Sequence, residues 1–328
     1  MRRATALRAI VFAAVAALFL GSLAAIAITG PVVVRSTKLD VKGAASAARL
    51  QRDVERLTRD LAPRGASNPA SLDRAAAWIA EELRAARLEV ALQAYDARGT
   101  TYRNVVGFRR GLDTAAPVRV LGAHYDASGP QPGADDNASG VAVLLEIART
   151  LQPEVPRHSQ YFVAFSTAGP PFFGTRDMGS RRFAEDLLER GVAVDVMVAL
   201  DLVGTYDDEH FPLYGLRWLY PSAGGFAAVV GDTSAGPWIR QVKLSWMAAC
   251  DLGMYSFRAP RRVPGIGASD DRSFRELGLP GVRVTDTALL RRPQDPGNSA
   301  PTPELDYARM ADLVRCFHGL LWDRDVAE

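Results

Sequence analysis

Histidine, cysteine and lysine are all scarce in this chain of 328 residues. It has four histidines and two cysteines, and lysine occurs only at Lys38, Lys42 and Lys243. The spacing of the two cysteines matches no metal-binding knuckle, so Cys250 and Cys316 could form one disulfide or remain two buried thiols. The formal net charge is only +2, whereas binding to a nucleic-acid backbone requires clustered positive charge. The composition therefore excludes a nucleic-acid-binding protein.

The overall composition is that of a folded globular protein. Hydrophobic residues make up 48% of the chain and charged residues 23%, which leaves ample apolar material for a core and excludes global disorder. Once the N-terminal segment is set aside, roughly 290 residues remain, a length that suits one large α/β domain or two small ones. We expect one.

An almost unbroken apolar run covers residues 9–28. It is about as long as the ~20 residues that cross a bilayer, whereas the apolar part of a cleaved signal peptide usually spans ~7 to 15. Ala25 and Ala27 nevertheless offer the small-residue pattern of a cleavage site. We predict an uncleaved membrane anchor over residues 9–30, with a secreted or periplasmic protein, released by cleavage, as the alternative.

Basic residues flank this run on both sides. The three before it are Arg2, Arg3 and Arg8, and the three after it are Arg35, Lys38 and Lys42. The preceding arginines favour a cytoplasmic N-terminus by the positive-inside rule, and the following residues weaken that bias. We therefore expect a single-pass protein of a bacterial-type cell membrane. Residues 1–8 would be cytoplasmic, residues 31–48 a tether and residues 49–328 an extracytoplasmic domain.

Helical and strand patterns alternate along the rest of the chain. Apolar residues at helical spacing predict a helix over 72–88, and further helices are predicted over 140–151, with Ser139 as its cap, and over 305–321. Short apolar runs predict strands over 88–92, 102–108, 118–123, 161–165, 194–200 and 282–285. This alternation indicates an α/β fold with a mixed, largely parallel sheet covered by helices on both faces.

Polar residues follow the ends of the predicted strands. His124 and Asp126 come after one strand and Asp201 after another, and a glycine-rich loop at 133–140, which contains Asp136, opens the next helix. Functional groups in an open α/β sheet gather beyond the carboxyl ends of the strands. One imidazole and several carboxylates at such a place suit a divalent cation.

These residues also carry a family resemblance. Four segments resemble, in order, the signatures of the co-catalytic zinc aminopeptidases, a family that includes the glutaminyl cyclases. They are Gly-Ala-His-Tyr-Asp at 122–126, Gly-Ala-Asp-Asp-Asn-Ala-Ser-Gly at 133–140, the strand into Asp201, and Val-Thr-Asp-Thr-Ala at 284–288. The resemblance covers nearly everything after about Asp53 and implies a three-layer sandwich with a twisted sheet between two helical layers.

The resemblance assigns a role to each of the four polar residues. It implies that His124 binds the first zinc and that Asp126 orients this histidine from behind, as metal-bound histidines generally require. Asp136 takes the position of the aspartate that bridges two metals, and Asp201 completes the shell of the first metal. As structural alternatives, His124 could be a packed histidine, and Asp136 and Asp201 could simply cap a helix and a strand end.

The residues needed for a second metal and for catalysis are missing. The family carries two adjacent glutamates after a strand, one to activate water and one to bind the second zinc, but Ala168 and Gly169 occupy those positions. Pro296 stands where the family has the last histidine ligand, and Asp271 stands where relatives often carry another histidine. The pattern also departs from the glutaminyl cyclases, whose single zinc uses the glutamate and the late histidine. We expect at most one zinc per chain, with an empty site as the alternative.

A pocket without a metal would have to neutralise two carboxylates by other means. A proton or an arginine would be required if Asp136 and Asp201 approach closely, and Arg291 and Arg292 are candidates, although both could be ordinary surface residues. Asp271 joins them as a candidate pocket residue. The acidic run at 207–210 could offer substitute ligands, but we expect a solvated loop there.

Two hypotheses about function follow, and the sequence leaves open whether the chain is an enzyme. The first is a catalytically impaired pseudo-peptidase that binds peptide or amino-acid-like ligands at the membrane surface. The second is a one-metal aminopeptidase, amide hydrolase or acyltransferase, in which Asp271 or Asp126 acts as the base. The first is favoured because hydrolysis in this family depends on a metal-activated water and a positioned base.

Overall fold

A computed structural model describes most of the chain. The described residues are 2–31, 44–128, 132–151, 155–210, 219–221, 223–286 and 305–321. Among the residues discussed above, six lie outside them: Arg35, Lys38, Lys42, Arg291, Arg292 and Pro296.

The N-terminal apolar run forms helix α1 (Arg2–Thr29). Within the described residues, it is the one helix long and apolar enough to cross a membrane, over Phe12–Thr29. Most of its side chains from Phe12 onward are exposed, so they do not contribute to the core of the domain. The helix is therefore compatible with a single-pass membrane anchor.

The end of α1 contacts the domain. The last carbonyl groups of a helix have no partner within the helix and need donors from elsewhere. Here the Arg258 side chain donates from Nε to the Ala27 carbonyl at 2.8 Å. Lys243 donates from Nζ to the carbonyl groups of Thr29 and Gly30 at 3.1 and 3.0 Å. Two basic side chains of the domain thus cap this helix, as expected for cations at a helix C-terminus.

The domain is built on an eight-stranded sheet with the order β1-β2-β4-β3-β5-β10-β8-β9. Its strands are β1 (Glu89–Ala97), β2 (Thr100–Arg109), β3 (Val118–His124), β4 (Gln160–Phe165), β5 (Val194–Leu200), β8 (Ala227–Gly231), β9 (Met254–Arg258) and β10 (Gly281–Thr285). The central strands β4, β3, β5 and β10 are parallel neighbours, as are β8 and β9. The pairs β1–β2, β2–β4 and β10–β8 are antiparallel.

The remaining elements surround this sheet. The helices are α2 (Ala47–Glu55), α3 (Pro69–Ala85), α4 (Gly140–Thr150), α5 (Gly179–Glu189), α6 (Gly236–Ala249), α7 (Asp271–Glu276) and α8 (Tyr307–Leu321). A separate two-stranded ribbon pairs β6 (Asp207–His210) with β7 (Ala223–Gly224). The first helix of the domain, α2, is capped by Ser46, whose hydroxyl accepts from the Arg49 N–H.

The sheet separates two apolar layers, because successive side chains of a strand point to opposite faces. In β3, Leu121 packs into the larger cluster with residues of α2, α3, α4 and α8. Its neighbour Val120 packs into the second cluster with Phe183 of α5 and Phe274 of α7. The continuous apolar runs of the central strands are thereby explained, since both of their faces are buried. The fold is the expected mixed α/β sheet with helices on both sides.

Two local expectations were wrong. Ser139 does not cap α4, because it has helical backbone angles itself and its hydroxyl donates to the Asp135 carbonyl at 2.7 Å. The Asn137 side chain accepts from the Gly140 N–H at 3.1 Å instead. Residues 207–210 form strand β6 rather than a loop. The strands and helices predicted elsewhere are present, with ends shifted by up to five residues.

The two cysteines form a disulfide between Cys250 and Cys316. Cys250 directly follows α6, and Cys316 lies in α8, with a Cα–Cα distance of 5.0 Å. The bond joins two helices that pack on the same face of the sheet, where Trp246 and Phe317 also meet edge to face. Of the two states that the sequence left open, the structure has the disulfide.

Candidate metal centre

The candidate ligands meet because the strands that carry them are parallel neighbours. His124 is the last residue of β3, and Asp201 directly follows β5, which pairs with β3 in parallel register. Their carboxyl ends therefore lie at the same edge of the sheet. Asp136 lies in the segment Ala134–Ser139, which leads into α4 and in which the backbone of Asp136 itself is not helical. The structure brings together His124, Asp136 and Asp201, whose donor atoms all lie within 4.8 Å of one another.

The two ring nitrogens of His124 have different surroundings. Nε2 faces the cluster, 3.2 Å from Asp136 Oδ1 and 3.6 Å from Asp201 Oδ1. Nδ1 lies 3.1 Å from the Asp126 carbonyl oxygen and 3.6 Å from its carboxylate. A proton on Nδ1 leaves Nε2 as the nitrogen with a free lone pair, which is the arrangement typical of metal-bound histidines.

Asp126 is itself held in place by the loop after β4. Its two carboxylate oxygens accept from the backbone N–H groups of Ala168 and Gly169 at 3.1 and 3.0 Å. The two residues at the family's glutamate positions thus contribute to the site through their main chain. A Cβ added at Gly169 would lie 3.0 Å from Ser128 Oγ and 3.6 Å from Asp126 Oδ2, so a side chain there would start directly beside this aspartate.

Charges of both signs interact strongly in this buried cluster. Burial acts to lower the pKa of His124, but the carboxylates of Asp126, Asp136 and Asp201 outweigh it and hold the pKa well above its usual range. Burial acts to raise the pKa of Asp201, and here His124 and Arg283 outweigh it, so this pKa falls below its ordinary value. The cluster is therefore an ion-paired group in the absence of a metal.

The cluster lies in a cleft of about 270 Å³. Its described lining residues are His124, Ser128, Asp136, Ala168, Gly169, Pro170, Phe173, Met178, Asp201, Leu202, Ala268, Ser269 and Arg283. Among them, Phe173 and Met178 provide apolar wall, while Phe172 packs in the core, 5.4 Å from the Tyr102 ring between centroids. The carboxylates in this described lining are those of Asp136 and Asp201, both of which belong to the cluster.

Two arginines that the sequence reasoning missed support the site. Arg64 is fully buried and donates to the Tyr125 carbonyl at 2.8 Å and the Gly133 carbonyl at 3.1 Å. It thereby connects the segment after His124 to the loop that carries Asp136. Arg283 of β10 lies with Nη1 3.5 Å from Asp201 Oδ2. No local pattern marks either residue, since their partners are distant in sequence.

The other candidate pocket residues lie elsewhere. Asp271 is buried at the start of α7, where its carboxylate is 2.6 Å from Arg275 Nη2, and it does not line the cleft. Asp270, its neighbour, is also buried, and burial raises its pKa to about 7. Arg291 and Arg292, the arginines expected to neutralise the carboxylates, lie outside the described residues. Among the described residues, Arg283 is the arginine that contacts the cluster.

The cluster fits one divalent metal. One imidazole nitrogen and two carboxylate oxygens converge from three different segments, with the histidine oriented from behind, and an open cleft leaves space for a further ligand. This three-ligand, open arrangement is the one found in catalytic zinc sites. Ala168 and Gly169 offer no side-chain donor toward a second ion.

Comparisons with known proteins agree with this architecture. Residues 104–307 match the family model described as Peptidase family M28. The chain is 38% identical over 284 residues to YfbL of Escherichia coli K12, a protein described as uncharacterized, and the match covers 82% of this chain and 86% of YfbL. It is 38% identical over 109 residues to human NCLN, described as a BOS complex subunit, but that match covers 29% of this chain and only 19% of NCLN.

Solved structures show the same fold at low sequence identity. A zinc aminopeptidase of Bacillus subtilis superposes with a TM-score of 0.65 at 15% identity, covering 87% of this chain and 97% of the other. A glutaminyl cyclase of Tannerella forsythia gives a TM-score of 0.60 at 20% identity, covering 86% and 99%. The extent of the family match and the similarity to YfbL together show that this chain belongs to peptidase family M28.

Proposed function

We propose that this chain is a pseudo-peptidase: an M28 domain that holds one divalent metal, has lost peptidase turnover and binds a peptide or amino-acid-like ligand at a membrane surface. The observation that carries the proposal is the composition of the cleft. Its described lining offers Asp136 and Asp201 as the metal ligands and no further carboxylate to serve as a base. Removing a general base typically costs ~10² to 10⁴ in rate.

The carboxylates that the sequence suggested as replacement bases are engaged elsewhere. Asp126 accepts two backbone N–H groups and faces Nδ1 of His124, so its pKa lies below the ordinary value. Asp271 is buried and paired with Arg275. Neither lines the cleft, which disfavours the alternative of a one-metal hydrolase or acyltransferase.

Family membership and the zinc aminopeptidase among the structural neighbours imply zinc as the metal. His124, Asp136 and Asp201 would hold it, and Asp126 would keep the His124 ring in place. When bound, zinc supplies a Lewis acid for a carbonyl or amine group of the ligand. The chain's own part is to fix the three ligands, and to offer the apolar walls of Phe173 and Met178 to a ligand side chain.

The proposed setting is the outer face of a membrane. Helix α1 would be the anchor, with residues 1–8 in the cytoplasm, as the preceding arginines favour. The human relative is described as a subunit of a complex, which supports a role in assembly or binding for this chain. The short length of that match confines this support to the part of the M28 domain that the two chains share.

A metal analysis tests the proposed site. The full-length protein, purified in detergent and dialysed against zinc, should hold at most one zinc per chain, because three donors converge at one point only among the described residues. Asp136→Ala should reduce zinc to background, while Asp73→Ala, which removes a half-exposed carboxylate on α3, should retain the wild-type content. Two zincs per chain, or full occupancy in Asp136→Ala, would contradict the proposal.

A further inference from the structure

Arg283 is an unusual residue for its position. It lies in the middle of β10, in the sequence Gly-Val-Arg-Val-Thr, between two valines that are completely buried. Strand β10 is itself interior, since it pairs with β5 on one side and β8 on the other. Only 2% of Arg283 is exposed. A charged group at such a place is costly unless it is paired, so its partners indicate why it is there.

Its partners are Asp201 of the cluster and the backbone of Gly265. Nη1 of Arg283 lies 3.5 Å from Asp201 Oδ2, and Nη2 donates to the Gly265 carbonyl at 3.0 Å. Asp201 uses its other oxygen, Oδ1, toward His124. The two oxygens of Asp201 therefore have a division of partners: Oδ2 faces the guanidinium of Arg283, and Oδ1 faces the candidate metal position beside His124.

From this division we infer that Arg283 is a built-in cation that weakens metal binding at the cluster and allows the cleft to keep its shape without a metal. The inference rests on the metal site proposed above and deepens it. Arg283 restricts Asp201 to one oxygen as a metal ligand and places a fixed positive charge beside the ion. With no ion bound, the same charge offsets one of the two carboxylates that would otherwise repel each other.

The expected effect on affinity is large. At the effective dielectric constant of about 20 that suits protein sites, a unit charge a few ångströms from a divalent ion changes its affinity by well over tenfold. Partial screening by solvent in the open cleft reduces this figure. We therefore expect removal of the guanidinium charge to tighten zinc binding by about tenfold or more.

Two variants of the full-length protein separate charge from packing. Arg283→Met removes the charge and keeps a long unbranched side chain, whereas Arg283→Lys keeps the charge. Zinc affinity is measured by competition with a chelator of known affinity. Arg283→Met should bind zinc at least tenfold more tightly than wild type, and Arg283→Lys should stay within about threefold of it. Equal affinities in wild type and Arg283→Met would overturn the inference.

A second measurement compares the melting temperatures of the same proteins. Zinc that binds only the folded state raises the melting temperature by an amount that grows with its affinity, so chelation of the zinc-loaded proteins should lower the melting temperature of Arg283→Met by several degrees more than that of wild type. An equal fall in both proteins would overturn the inference. Neither readout involves turnover. Peptidase activity in the wild type would refute the proposed function and leave the affinity ratio to decide the role of Arg283.

Discussion

The disulfide between Cys250 and Cys316 should contribute strongly to the stability of the domain. The bond closes a loop with a sequence separation of 66 residues. Restricting an unfolded chain by a loop of this size corresponds to about 4 kcal/mol at 25 °C on the chain-entropy model. For a domain of this size, such a loss would lower the melting temperature by roughly 8 °C.

Urea unfolding of the full-length protein in detergent, followed by tryptophan fluorescence, measures this contribution. The oxidised wild type is compared with the reduced wild type and with the double variant Cys250→Ala/Cys316→Ala. Both perturbed proteins should lose about 4 kcal/mol. Reductant should not change the double variant, which serves as the control for other effects of the reagent. The reasoning would be refuted if reduction changed the free energy of unfolding of the wild type by less than about 1 kcal/mol.

Two further predictions concern pH and the anchor. Burial lowers the pKa of His318 to about 4, so the folded state resists protonation and stability should fall as pH drops from about 6.5 to 4, by up to about 3 kcal/mol. In His318→Gln this part of the pH dependence should disappear. The prediction is contradicted if the wild type loses no more stability than His318→Gln between pH 7 and pH 4.5. A Cβ built at Gly30 lies 3.5 Å from Ser256 Oγ, so a Gly30→Cys/Ser256→Cys variant in membranes should form a disulfide on oxidation, detected by peptide mass spectrometry. The control is Gly30→Cys/Leu92→Cys, because Leu92 lies on β1 at the opposite edge of the sheet from β9. Equal cross-linking in the two variants would exclude the contact between the end of α1 and the domain.

The main architecture could be predicted because its strands are long apolar runs with both faces buried. The only charged residues in the runs at 118–123 and 194–200 are Arg119 and Asp195, which pair with each other at 2.8 Å across neighbouring strands. Periodicity and β-propensity agree there, so the pattern predicts the structure. The strands β8 and β9 were not predicted; β8 pairs with β10 and β9 pairs with β8, and a local pattern does not reveal such partners.

The candidate site was only partly predictable for a related reason. His124, Asp136 and Asp201 follow strand ends or open a helix, so the rule for open α/β sheets already places them at one edge. Arg64 lies in an irregular segment and Arg283 in a buried strand, and the contacts that tie each of them to the site cross more than 60 residues of sequence. Ser139 failed as a cap because its own backbone is helical and its hydroxyl donates to the Asp135 carbonyl.

The measurement that most directly tests the central claim is peptidase turnover by the unmodified protein. The full-length chain, purified free of contaminating peptidases and supplied with zinc, is assayed on a panel of aminoacyl and peptide substrates beside His124→Ala. We predict that turnover by both proteins is indistinguishable from background, because the described lining of the cleft holds no carboxylate beyond the proposed metal ligands Asp136 and Asp201. Robust turnover that a chelator abolishes and that His124→Ala lacks would contradict the pseudo-peptidase account and establish a one-metal enzyme.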